Sequence, residues 1–263
     1  MKFLSIYMWT NSNPDKFKEL NGYEIDGIWY PRVTSILNIK AKPALYRYYA
    51  ELDSFAVAEE IMERSADEGT RVHEAIEAIL VGKTPEYGDD IKPSIEAFRT
   101  FLEKSSIEVD PEWVERRVVN LNDRYAGTVD AMALIGGKFG VMDIKTSQGI
   151  YRDYNLQTAA YYPPLLEEFR TLQTRWILRI DQNQRCYVCG ASKRTKGGRE
   201  KVRPPYPTTN VDYKKCIHQW SDVEGIIQLK EFPYWQDDYQ AFLGAKKLWE
   251  WEHSPLLKKI GYN

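Results

Sequence analysis

Residues 127–147 read GTVDAMALIGGKFGVMDIKTS. The run Tyr125 to Ile135 has strand composition, Gly136-Gly137 supplies a tight reversal, and Lys138 to Thr146 returns as a second strand. Alternation places Val141, Asp143 and Lys145 on one face of the returning strand and Met142 and Ile144 on the other. A core face and a chemical face are therefore expected on the same strand. With a two-residue loop, Ile135 pairs with Lys138, and counting back sets Asp130 opposite Asp143. Like charges so placed, with Cβ atoms about 5 Å apart, repel unless a cation or water lies between them. If Asn122-Asp123 turns the run Trp113 to Leu121 into the strand starting at Arg124, Glu115 faces Asp130. Three carboxylates then lie in a row across three antiparallel strands, with Lys145 on the same face. A three-residue loop at either turn would slip the register and flip the pattern.

The chain has 263 residues, 43% of them hydrophobic, enough for one large domain. The expected organisation is a single domain over 1–263. It comprises a helical lead-in region at 1–66, a catalytic core at 67–190, a basic loop at 191–210 and C-terminal helices at 211–263. Net charge is −2 and 28% of residues are charged, so any basic surface is local rather than global. No apolar run approaches the roughly 18–20 residues needed to span a bilayer, and the first residues lack a signal-cleavage pattern. Three cysteines do not make a disulfide scaffold, so a reducing, intracellular compartment is expected, with no membrane partner. Cys186 and Cys189 form a CxxC with Cys216 well downstream. No fourth cysteine completes a cluster, and the three are read as strand positions, with a metal or iron-sulfur role as the alternative.

Taken along the chain, Met1 to Trp29 suggests a strand and a turn around Asn11 to Pro14. Tyr30 onward reads as a lead-in loop before a helix. Arg32, Thr34, Lys40 and Lys42 are residue types that meet phosphate oxygens, and each alone is equally an ordinary surface residue. Asp67 to Leu80 carries an apolar helical stripe of Val72, Ala75, Ile76, Ile79 and Leu80. On that helix His73 and Glu77 share a face, and Gly69, one turn earlier, allows close approach of another segment. Ile91 to Lys104 is a second helix covering one side of the sheet. Asn155 to Tyr162 is a third, with Gln157 and Tyr161 on one face, ended or kinked by Pro163-Pro164.

Thr174 to Ile180 and Arg185 to Gly190 read as a hairpin around Asp181 to Gln184. The most basic segment, KRTKGGREKVRPPYP from Lys193 to Pro207, reads as a loop. It is either a solvated hairpin tip or linker, or a phosphate-tracking arm using Lys193, Arg194 and Lys196. Val211 to Lys230 and Pro233 to Glu252 read as helices. The aromatics of the second (Trp235, Tyr239, Phe242, Trp249, Trp251) have the spacing of core residues, although such density also suits base stacking.

Paired aspartates, an imidazole and a lysine two residues beyond the second aspartate suit a hydrolytic site. Asp130 and Asp143 offer oxygen ligands to a hard divalent cation, with His73 and the backbone carbonyl of Ile144 as further ligands. Such an ion lowers the pKa of bound water and polarises a scissile phosphate. Lys145 would orient or help deprotonate the water, or neutralise charge on the phosphoryl oxygens; a protonated ammonium suits the electrostatic role. Glu115 would stand behind these ligands or on a second ion.

The set Gly69xxxHis73xxxGlu77, Glu115, Gly127-Thr-Val-Asp130, Asp143-Ile-Lys145 and Gln157xxxTyr161 resembles, in order, the PD-(D/E)xK nuclease superfamily. Within it the chain looks most like the RecB-like branch. That branch includes RecB and AddB nuclease domains, CRISPR-associated RecB-like nucleases and the mitochondrial genome-maintenance exonuclease. The resemblance runs from about Tyr30 to Tyr162. It implies an α/β (α+β) fold with a restriction-endonuclease-like central mixed sheet, antiparallel hairpins and flanking helices. It also implies cleavage of DNA with magnesium or manganese, metal-binding roles for His73, Asp130 and Asp143, and a catalytic role for Lys145. Gln157 and Tyr161 match the motif that supports the site and contacts the DNA strand, while Glu77 and Glu115 match acidic positions of less definite role.

Members of the branch that carry an iron-sulfur cluster have four cysteines bracketing the core. Here three lie after Tyr161, which points to the cluster-free subgroup. No helicase motor is present, so a helicase, recombinase or single-strand-binding partner would prepare the substrate. The leading expectation is a metal-dependent DNA exonuclease acting on single strands or ends in recombination, repair or phage replication. Its setting would be the cytoplasm of a bacterial, archaeal or phage-infected cell. The alternatives are a structure-selective or sequence-specific endonuclease and a non-catalytic DNA-binding protein.

Overall fold

The computed structural model of the chain describes residues 13–207 and 211–262. Chain order is α1 (Pro14–Asn21), β1 (Gly22–Ile25), β2 (Ile28–Pro31), α2 (Val33–Leu37), α3 (Pro43–Ala50), α4 (Phe55–Leu80), α5 (Lys92–Lys104), β3 (Ile107–Glu108), β4 (Val114–Asn120), β5 (Tyr125–Ile135) and β6 (Lys138–Lys145). It continues with α6 (Asp153–Glu168), β7 (Thr174–Arg185), β8 (Ser192–Lys196), β9 (Arg199–Arg203), β10 (Glu224–Glu231), α7 (Gln236–Glu252) and α8 (Ser254–Lys259). The architecture is mixed α+β, a multi-stranded sheet flanked by helices. Of the turn expected at Asn11 to Pro14, the first two residues lie outside the described ones. Asn13 caps α1, its side chain accepting from Asp15 N.

The central hairpin follows from its two glycines. Gly136 and Gly137 have φ of 57° and 76°, the left-handed pair that a tight primed reversal requires. Ile135 accordingly pairs with Lys138, and the antiparallel ladder runs to Ala131–Met142. Outward from this hairpin, β4 and β3 both pair with β5, and β7 lies parallel to β6. The far side of β7 pairs with β10, and its end pairs with β8, which leads into β9.

The parallel pairing of β6 with β7 obliges a crossover, and α6 supplies it. The consequence corrects the expectation of one core face and one chemical face on β6. Phe139 and Val141 pack with Ala159, Tyr162, Phe242 and Trp249 on the α6 and α7 side. Met142 and Ile144 pack with Val72, Ile76, Ile95 and Phe98 on the α4 and α5 side. Both faces are covered, as a strand with a parallel partner usually is, and the polar groups gather at the end of the strand instead.

Further expectations change. α4 begins at Phe55, not Asp67, with the Ser54 side chain accepting from Val57 N. The added turns bury little besides Ala58 and Ile61, too thin a stripe to be read. The lead-in after Tyr30 holds the end of β2 and then α2 and α3 rather than a loop. α6 runs through Pro163-Pro164 to Glu168. Pro164 has no N–H for the carbonyl of Ala160, and the Tyr125 hydroxyl donates to that oxygen at 2.7 Å instead.

The hairpin expected around Asp181 to Gln184 is one strand, β7, because β10 pairs along it from Glu224–Asn183 to Glu231–Trp176. β10 itself comes from the segment expected as a helix at Val211 to Lys230, with Ile227 and Leu229 packed on the α5 side. The basic segment after Lys193 takes the hairpin alternative rather than that of an open loop: it is β8–β9, turned by Gly197 and Gly198 at φ 58° and 80°. In α7, Tyr239, Phe242 and Trp249 are buried and Trp251 is exposed.

Candidate active site

One residue beyond the last ladder pair, Ala131–Met142, the register sets Asp130 against Asp143. The Ile144 N–H donates to Asp130 Oδ2 at 2.6 Å, tying that carboxylate to the neighbouring strand. Asp143 is 1% exposed, with Lys145 Nζ 2.6 Å from its Oδ2. This is a contact of opposite charges; neither oxygen of Asp143 has a well-directed hydrogen-bond donor. Burial pushes Asp143 up to about 6 against the opposing pull of Lys145. Burial likewise raises Asp130, with Lys145 and the Ile144 N–H opposing. For Lys145, burial favours the neutral amine, but the two aspartates outweigh it and hold the group above its usual value. It is therefore an ammonium at neutral pH. The ring of Tyr154 lies 5.3 Å from its Nζ.

α4 brings His73 and Glu77 to this strand end because Gly69 lets the helix in. A Cβ at Gly69 would stand 2.8 Å from Thr146 Oγ1, just past β6. Burial first, then the charge of Lys145, lowers His73 to about 4, with Asp143 opposing. The imidazole is neutral at pH 7 and offers a lone pair. Burial and the neighbouring Glu115 raise Glu77 to about 7. Glu115 sits between the pairs Val114–Ala131 and Arg116–Val129, the place expected from the register opposite Asp130. Its φ of 52° is left-handed, a strained state for a residue with a side chain.

The opposite flank is formed by α6. Gln157 Nε2 donates to Tyr161 Oη at 3.1 Å, and the Tyr161 ring is buried against Gly127, where any Cβ would overlap it. Burial, then the charges of Asp143 and Asp130, raises the Tyr161 hydroxyl, which stays protonated.

Beyond β6, the β8–β9 hairpin folds over the turn after the strand. Lys196 Nζ and Arg194 Nη2 both donate to the carbonyl of Thr146, Arg194 at 3.3 Å. Burial and the repulsion of Arg194 lower Lys196 to about 8. Arg194 also pairs with Asp181 at 2.6 Å, as Arg179 does at 2.7 Å, and Arg179 Nε donates to the carbonyl of Ser147 at 2.7 Å. A cavity of about 360 Å³ opens here, lined by Tyr48, Gln148, Arg194, Lys196, Arg199 and Lys201 among others. A larger cavity, about 850 Å³, lies at the Gly137 end of the hairpin between Trp113, Phe139 and Phe169. It is remote from the carboxylates, and the chemistry rather than the volume selects the site.

Of the expected site residues, the fold gathers His73, Glu77, Glu115, Asp130, Asp143, Lys145, Gln157, Tyr161, Arg194 and Lys196 around one strand end. Ile144 is buried in the α4 side of the core, with its N–H committed to Asp130. Three expected residues stand apart. Lys193 points to the ring of Trp220, 5.1 Å away, and to Glu200. Thr34 is exposed on α2. Arg32 stacks 4.7 Å over Tyr23 beside Arg117. Arg179, Asp181 and Tyr154 were not expected at the site. An alternating Arg and Asp inside the apolar run WILRID was the available signal.

The donor set fits a hard divalent ion: a buried carboxylate lacking hydrogen bonds, a second carboxylate opposite it, and a neutral imidazole. Among the described residues, however, the one group of ligand atoms gathered within 4.8 Å of one another is elsewhere, at Cys186, Cys189, Cys216 and His218. The reading of these cysteines as plain strand positions is thereby corrected; the fourth member is a histidine. No helix among the described residues is long and apolar enough to cross a membrane. Neither a protein-family model nor a curated protein matches this chain.

Proposed function

We propose that this chain is a divalent-metal-dependent deoxyribonuclease of the PD-(D/E)xK type, working as an exonuclease on single-stranded DNA or DNA ends. Its sheet would then be the restriction-endonuclease-like core of the RecB-like branch. The observation that carries this reading is the buried Asp143 carboxylate. It lacks hydrogen bonds, lies opposite Asp130, is followed two residues on by an ammonium and is overhung by a neutral imidazole.

Magnesium or manganese held by Asp130, Asp143 and His73 would supply an activated water and polarise the phosphate. Lys145 contributes a positive charge that steadies the phosphoryl oxygens as the P–O bond breaks. Gln157 and Tyr161 offer neutral donors on the far flank, and Arg194 and Lys196 bring positive charge to the strand's phosphates. Glu77, raised to about 7, can take up or release a proton near neutral pH.

Linear single strands labelled at either end, beside a circular single strand, test the reading with and without magnesium. The expected outcome is magnesium-dependent release from linear strands, an intact circle, and a loss of about 10²–10⁴-fold in Asp143→Ala and Lys145→Ala. Undiminished cleavage in both variants would rule it out, and a cut circle would transfer the reading to an endonuclease.

A further inference from the structure

Where β7 ends, its last residue Arg185 is followed by Cys186-Tyr-Val-Cys189-Gly190, and thirty residues after Cys186 comes Cys216-Ile-His218. Cys186 and Cys189 are buried. Cys186 Sγ stands 3.9 Å from Cys216 Sγ, and Cys189 Sγ stands 3.5 Å from His218 Nδ1. The four ligand atoms all lie within 4.8 Å of one another. A tetrahedral zinc ion with Zn–S of about 2.3 Å and Zn–N of about 2.0 Å would hold two sulfurs about 3.8 Å apart and sulfur and nitrogen about 3.5 Å apart. The Cys186–Cys216 and Cys189–His218 spacings are those of ligands to one such ion.

Three independent features point the same way. Gly190 has φ 74°, so the chain reverses tightly after Cys189, and its N–H returns to the carbonyl of Cys186 at 2.9 Å. The His218 ring lies 4.5 Å from that of Trp220, and Trp220 bridges Cys186, so the imidazole is held on the side of the thiols. Finally, the local apolar core is only Cys186, Cys189 and Ala191, with Tyr213, Cys216 and Trp220 against it. Tyr187, Val188 and Ile217 turn outward at 75%, 49% and 88% exposure, while Cys186 and Cys189 are buried. So small a cluster does not hold two strand-poor segments together through burial.

We infer that Cys186, Cys189, Cys216 and His218 form a structural zinc site, separate from the proposed magnesium site and independent of it. Three thiolates and an imidazole select zinc over a hard ion. A cluster of several irons would place metal–sulfide edges between its ligands and hold them farther apart than they stand. The site ties the end of β7, the start of β8 and the segment 211–223 together. Cys186 bridges Trp220, Tyr187 N–H donates to Gln219 O, and Ser221 N–H donates to Arg185 O. Its effect is to anchor the base of the hairpin that carries Arg194 and Lys196 to the Asp143 end of the sheet.

Elemental analysis of the full chain, purified without chelator or nickel, tests the inference whether or not the protein cleaves DNA. One zinc per chain is expected, falling about tenfold or more in a Cys189→Ser, Cys216→Ser double variant. Cobalt added in place of zinc should give the visible bands of a tetrahedral thiolate site. His218→Cys should keep the metal and change those bands, since sulfur replaces nitrogen. Wild-type protein that is folded and holds no more zinc than the double variant would overturn the proposal. So would iron with acid-labile sulfide in its place.

Discussion

Lys145 and Asp143 are each unfavourable where they are without the other. Removing the ammonium leaves a carboxylate at 1% exposure with no hydrogen-bond donor, whereas removing both charges leaves nothing to compensate. In magnesium-free buffer at pH 8, Lys145→Ala should therefore cost about 3 kcal/mol of unfolding free energy. Asp143→Asn combined with Lys145→Ala should cost less than Lys145→Ala alone, as read by urea denaturation. Glu77 makes a pH-dependent counterpart. Its native value is raised from 4.5 to about 7, so between those limits the native state holds a proton that the unfolded chain has released. Stability from this group is present below 4.5 and is lost as pH rises through about 7. Glu77→Gln should accordingly melt higher than wild type at pH 8, on the order of 2 °C, and match it near pH 5. Equal melting points at both values would show that Glu115 and burial do not strain this carboxyl.

At the scale of elements, α6 shows how a local rule yields to a neighbour. Two successive prolines should stop a helix, since each lacks the N–H that continues it. The helix persists because a buried tyrosine from β5 serves the orphaned Ala160 carbonyl. Tyr125→Phe should cost about 1–2 kcal/mol. The same change made in a Pro164→Ala background should cost less, because the restored peptide N–H serves the same carbonyl; thermal denaturation of the four proteins reads the difference. Equal costs in both backgrounds would separate the tyrosine from the helix. The same helix gives the Gly127 of the GTVD run its meaning: that position is glycine because the Tyr161 ring occupies the place of its Cβ.

Across the whole molecule, the β8–β9 hairpin closes onto α4, where the Gly197 N–H reaches Glu68 at 3.3 Å. With α3 it makes a basic groove leading from the carboxylates. Lys201 lines this groove and is held only loosely, 3.8 Å from Glu51. If a DNA strand runs along it, Lys201→Ala should weaken binding of a single-stranded oligonucleotide and flatten the dependence of log Kd on log salt by about 0.7. Fluorescence anisotropy with calcium in place of magnesium gives this slope. A slope equal to that of wild type would place the strand outside the groove.

What the sequence by itself determined was local in origin. Two adjacent glycines set the reversal, alternation set the faces, and their count placed Glu115, Asp130 and Asp143 in register. Helical spacing put His73 with Glu77 and Gln157 with Tyr161. Tertiary structure decided what depends on pairing between distant segments. β7 is one strand rather than a hairpin because Glu224 to Glu231 pairs along it, and the short alternation of Ile227-Gln228-Leu229-Lys230 does not tell which strand it joins. The basic run is a strand pair because β7 offers it an edge. Glu115 took its left-handed backbone from the contacts around it, and the fourth ligand of the cysteine site came from a histidine that no cysteine count includes. Short-range sterics act between neighbours in the chain and can be read there. The free energy of strand pairing, burial and ligand assembly arises only when remote residues meet.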